Sequence, residues 1–222
     1  MANSGLSEAE ENLQVIRSLM ERATVYRAIS APTALVAGLI SILAALLVYL
    51  NDETNLISGR RVGPREFATI WLAVLVLSLV ANMFFVWREA KRSRRPFISS
   101  GMKLALQTIA PNLLLPAAFS GWYFSTGYVG GQELELVVVW IAFYGLALLS
   151  TALFAPRSLA LLGWAFLLSA LAIPVFVNGL EELSTNLPNS AMGVTFGIYH
   201  LIYAICTWPW KHQSTDDQPA GE

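Results

Sequence analysis

Six stretches of this chain, at 28–50, 67–87, 104–123, 136–154, 158–177 and 191–208, contain no Asp, Glu, Lys or Arg. A helix needs roughly 20 apolar residues to cross about 30 Å of hydrocarbon, and each stretch is close to that length. A helix on a soluble core keeps a polar stripe on the side that faces water. These stretches are apolar all round, so lipid is the solvent they suit. Composition agrees: 13% of residues are charged, where a soluble domain carries about a quarter. The expected fold is all-α, a polytopic membrane protein with six transmembrane helices. Net charge of −1 and a single cysteine, Cys206, argue against a nucleic-acid binder, a disulfide framework and a multi-cysteine metal site.

The basic residues between the stretches predict orientation. Arg17, Arg22, Arg27, Arg88, Lys91, Arg92, Arg94, Arg95, Lys103, Arg157 and Lys211 fall on one side, and only Arg60, Arg61 and Arg65 on the other. Basic residues are retained in the cytoplasm, so both termini are expected there, in a multi-pass inner-membrane protein. The chain then divides into a cytoplasmic segment at 1–27, a membrane domain at 28–208 and a cytoplasmic tail at 209–222. Within 1–27, Ser7 and Glu10 form a capping box. Leu13, Ile16, Leu19, Met20, Ala23 and Tyr26 then share one helical face, which predicts an amphipathic interfacial helix. The segment lacks the basic start and apolar run of a cleavable signal peptide. The densest basic run, with Arg88, Lys91, Arg92, Arg94 and Arg95, suits anionic lipid headgroups.

Polar side chains inside the expected spans are the candidate site. Asn112, Tyr144 and His200 lie near mid-depth, with Tyr203 one turn from His200. Polar groups in hydrocarbon are costly unless they face the bundle and find partners, so these are expected to point inward. An imidazole titrates near physiological pH, so His200 fits a proton relay, a ligand contact or a structural hydrogen bond. The only other histidine, His212, lies beyond the last stretch. That argues against a bis-histidine haem and a zinc site, and no cofactor is expected.

Ser120-Gly121 and His200 resemble the serine–histidine dyad of six-span rhomboid proteases, but Ala118 replaces the first glycine of the Gly-x-Ser-Gly motif. Ser120 also sits toward the outer side while His200 is central. A base that far from its nucleophile cannot activate it, so an enzyme is not expected.

Packing signals are present as well. Gly193 and Gly197 form a Gly-x-x-x-Gly pair, and Ala34 and Gly38 share the spacing. Such pairs let helices approach closely, within one copy or between two. The link Ala155-Pro156-Arg157 forces its flanking spans to be antiparallel neighbours. Pro111 and Pro116 each leave a carbonyl without its usual donor, which fits either a curved packing helix or a broken helix lining a solute path.

The phrase Met20-Glu21-Arg22-Ala23 before the first span, Ala155-Pro156-Arg157-Ser158 before the fifth, and Gly197-Ile198-Tyr199-His200 in the sixth resemble a widespread group of small bacterial six-span inner-membrane proteins of unknown function. The resemblance implies topology and a bacterial inner membrane, and no activity. This chain departs from the group at Ala31-Pro32-Thr33, where a glycine-rich start is usual, and at Trp208-Pro209-Trp210-Lys211, where the group ends in a basic tail.

Two functions remain open. One is a non-catalytic protein acting by contact, an accessory subunit or sensor of a membrane complex, with lipids, other membrane proteins or a homodimer partner. The other is a small transporter or channel for a neutral or weakly basic solute, using a midplane layer around Asn112 and His200. The absence of any carboxylate in the spans counts against ion-coupled transport.

Overall fold

The computed structural model describes residues 31–54, 61–92, 100–126, 133–152, 155–177 and 186–208, the side chains of 100–102 excepted. The expected interfacial helix, the tail, Arg94 and Arg95 lie outside the described residues. Within them the protein is all-helical and has no strand.

The helices are α1 (Ala31–Thr54), α2 (Pro64–Arg92), α3 (Ser100–Ser125), α4 (Glu133–Ser150), α5 (Arg157–Val177) and α6 (Leu187–Thr207). All but α3 are long and apolar enough to cross a membrane. α3 has the length, 26 residues, but Gln107, Thr108, Asn112 and two prolines dilute its apolar content. The helix runs unbroken through Pro111 and Pro116. α2 extends past the expected span to Arg92, where the Lys91 ammonium lies 5.2 Å from the Trp87 ring centroid.

Glycine decides how the best-packed pairs fit. In α4 and α5, a Cβ on Gly145 would stand 2.9 Å from the Gly163 carbonyl and 3.0 Å from the Leu167 nitrogen. A Cβ on Gly163 would stand 3.1 Å from the Gly145 carbonyl. The two backbones therefore touch, as the short link requires. α1 and α6 pair by the same means. A Cβ on Gly38 would be 2.8 Å from Leu201, one on Gly197 2.6 Å from Ile42, and one on Gly193 2.9 Å from Ala45. The small-residue positions read from the sequence are thus used inside one copy of the chain. Asn189 adds a polar tie, its amide nitrogen donating to the Ala45 carbonyl at 2.8 Å.

α6 is not a uniform helix. Gly193–Ile198 forms a π-turn, in which the Tyr199 N–H donates to Val194, five residues back. Thr195 Oγ1 donates to the Ala191 carbonyl at 2.7 Å, competing with the backbone for that acceptor. Such wide turns change the phase of the residues that follow. α6 meets α1 on both sides of the turn, through Asn189 before it and Leu201 after it, and His200 just beyond the turn faces α4 and α5.

α4 is the hub, touching α2, α3, α5 and α6, whereas α3 rests on α4. The main core joins Phe67, Trp71, Val137, Ile141, Leu148, Leu162, Phe166 and Tyr203. A smaller cluster joins Ala68 of α2, Tyr123 of α3 and Leu136 of α4. The outer faces carry exposed Leu, Val, Ile and Phe, the surface lipid requires.

Candidate functional site

His200 is buried, at 7% exposure, where α4, α5 and α6 meet. Its Nε2 lies 2.8 Å from the Tyr144 hydroxyl on α4. A phenol is the natural donor to a neutral imidazole, which places the ring proton on Nδ1. Nδ1 is buried and has no hydrogen-bond partner among the described residues. Aromatic rings pack against the imidazole. Phe196 stacks on His200 at 6.3 Å and 13°, and Phe166 meets it edge-on at 5.7 Å. Tyr144 packs on Phe166 at 4.7 Å and on Phe196 at 5.0 Å. On the residue just before His200, the Tyr199 hydroxyl lies 2.8 Å from Ser169 Oγ on α5. The site thus consists of two polar pairs, each bridging two helices, set among rings.

Tyr144 and His200, read from the sequence by depth alone, are brought together. Tyr203 is also buried, in the main core. Asn112 is placed elsewhere. It is half-buried on α3, and its amide nitrogen donates to Thr108 of its own helix at 3.3 Å. Nothing unites it with His200 into one polar layer, because α3 reaches the bundle through α4. Ser120 is engaged in another way, accepting from Trp140 Nε1 at 2.9 Å and donating to the Pro116 carbonyl at 2.6 Å. Its hydroxyl pins α3 to α4, and His200 pairs with Tyr144 instead of Ser120.

Phe166 and Phe196 escaped the sequence reading because aromatic residues in an apolar span carry no signal of which helix they face. The glycine contact of Gly145 with Gly163 was detectable as lone glycines on either side of the three-residue link. The π-turn has no sequence signature beyond the glycines at its start and within it.

Among the described residues no group of three or more His, Cys, Asp or Glu side chains could hold a metal ion. The cluster offers hydrogen bonding and packing rather than a charged binding centre. No protein-family model matches the chain, and comparisons with curated proteins and with solved structures return no match.

Proposed function

We propose that this is a six-span protein of a bacterial inner membrane that works by contact, as an accessory subunit or sensor of a membrane complex. α3 is the sixth span in this reading. It lies antiparallel to α4, with Ser120 opposite Trp140 and Tyr123 near Leu136. Both termini are cytoplasmic, the interfacial helix lies on that leaflet, and Arg88, Lys91, Arg92, Arg94 and Arg95 meet anionic headgroups there. The observation that carries the contact role is the packing of the Tyr144–His200 pair against Phe166 and Phe196, with His200 itself buried. A polar pair satisfied by its own partner and packed among rings serves packing, whereas a solute path needs polar groups that a moving ligand can reach. The separation of Asn112 from His200 also removes the layer on which transport would depend.

Topology is tested by single-cysteine labelling at Ser93 and Gly130 in a Cys206→Ser background. Gly130→Cys should label only from the outside and Ser93→Cys only from the cytoplasm; the reverse would overturn the orientation. Function is tested with His200→Phe in reconstituted vesicles. The contact role predicts a stability loss with no change in solute flux. Flux carried by the wild type and abolished in a folded His200→Phe variant would put transport first.

A further inference from the structure

The side of α6 that meets α1 runs through Asn189, Gly193, Gly197 and Leu201, four residues apart each time. A plain α-helix turns about 100° per residue, so each step of four drifts about 40°, and three steps drift about 120°. A row of that spacing would turn away from α1 before reaching Leu201. The π-turn at Gly193–Ile198 corrects the drift. It fits one extra residue into a turn and so takes back about 100°.

The same extra residue decides where His200 points. His200 comes seven residues after Gly193, and seven residues of plain α-helix fall within about 20° of two full turns. Without the π-turn the imidazole would share the α1 face of Gly193, which Leu201 now fills against Gly38. With it, His200 is turned about 100° away and lies 2.8 Å from the Tyr144 hydroxyl on α4. Tyr199 turns with it, onto Ser169 of α5. Two features hold the turn open. Thr195 Oγ1 donates to the Ala191 carbonyl, the acceptor that a plain helix gives to the backbone, and the two hydroxyl pairs tie the next two residues to other helices. One feature opposes them: in this facing His200 Nδ1 is buried with no hydrogen-bond partner among the described residues, and a buried orphan is costly.

We propose that the π-turn is a register switch in α6. Open, as in this structure, it seats His200 on Tyr144 and Tyr199 on Ser169. Closing it to plain α-helix turns the helix beyond Ile198 by about 100° and moves it about 1.5 Å along its axis. That one movement breaks both polar pairs and brings His200 to α1. The part before the turn stays tied to α1 through Asn189 and Gly193. Communication between distant parts of a protein needs an element with two discrete arrangements, and a turn that holds or releases one residue is such an element. The switch rests on the contact reading above and names the part of the bundle through which a bound partner is sensed.

The test uses the full chain in vesicles, in a Cys206→Ser background, and reads initial rates of disulfide formation between α1 and α6. One cysteine pair, Ala45→Cys with Gly193→Cys, reports the helix before the turn. The other, Gly38→Cys with Leu201→Cys, reports it after the turn. Tyr144→Phe combined with Ser169→Ala removes both ties and lets the turn close. The pair after the turn should then slow about tenfold, the worth of two interhelical hydrogen bonds, while the pair before it keeps its rate. Deleting Val194, a lipid-facing residue of the turn, removes the extra residue but leaves His200 in its present facing. The deletion should restore the slowed rate and keep the Tyr144–His200 coupling measured by a double-mutant cycle. An unchanged rate after the turn, or equal slowing of both pairs, would overturn the switch, since α6 would then have stayed put or merely loosened. A folded deletion chain without the coupling would overturn it too, and the two rates decide the matter even if that chain does not fold. Failure of the contact role has a separate signature, the flux lost in His200→Phe, which the cross-links do not measure.

Discussion

The α4–α5 pair and the α3–α4 pair hold neighbouring helices in two different ways. Between α4 and α5, Gly145 and Gly163 bring backbone against backbone, and no side chain lies between them at that level. Between α3 and α4, aromatic side chains do the spacing, and one bond from Trp140 to Ser120 fixes the register. Lipid is as apolar as leucine, so burial alone does not drive helices together in a membrane; close packing and hydrogen bonds do. A glycine contact therefore commits both helices rigidly. Among the described residues, a single aromatic and hydroxyl seam holds α3, and its other side is exposed. The comparison teaches that α4, α5, α6 and α1 form the fixed part of the bundle, and that α3 is the element presented outward.

The largest effect should come from adding a methyl group at the tightest glycine. Gly145→Ala places Cβ against two backbone atoms that cannot rotate away, at 2.9 Å and 3.0 Å. We expect a net loss of about 1–3 kcal/mol, even though alanine gains about 1 kcal/mol in helix propensity. Denaturant titration in mild detergent would measure it. Gly121→Ala should go the other way, because its Cβ meets open space. If the two substitutions cost the same, the contrast between the helix pairs is wrong.

Next comes the buried polar pair. His200→Phe should cost about 0.6–2 kcal/mol by leaving the Tyr144 hydroxyl unpaired. The double variant with Tyr144→Phe removes both ends and should cost less than the sum of the two single changes. A double-mutant cycle showing strict additivity would mean that the 2.8 Å contact contributes nothing.

A smaller and more local effect is expected from Ser120→Ala. It leaves Trp140 Nε1 without its acceptor, so α3 should loosen from α4 while the α4–α5 hairpin keeps its stability. Cross-linking between cysteines placed on α3 and α4 would fall, and that between α4 and α5 would not. The least effect belongs to Leu168→Ala on the lipid face, which is 58% exposed and should change stability by no more than about 0.5 kcal/mol.

Much of the candidate site was legible in the chain, and its assembly was not. Depth along each apolar stretch placed Tyr144 and His200 near one level. The same reasoning placed Asn112 there too, yet α3 carries it to the far side of α4, where Thr108 takes its amide. Depth is one coordinate; the position of a helix around the bundle is another, and hydropathy does not encode it. The small-residue pairs were equally ambiguous. Gly193 and Gly197 could have served a second copy, and the structure gives them to Ala45 and Ile42 of α1.

What the sequence determined by itself is the class of structure. Uncharged stretches of membrane length leave helices as the form in which every backbone group is satisfied without water, and the three-residue link makes α4 and α5 antiparallel neighbours. Tertiary structure alone decided which faces meet. That choice depends on where glycines allow backbones to touch, on a π-turn that changes the facing of α6 before His200, and on a hydroxyl that fixes α3 to α4. These are close-range fits between residues far apart in the chain. A helix that is apolar on every side carries no pattern announcing them.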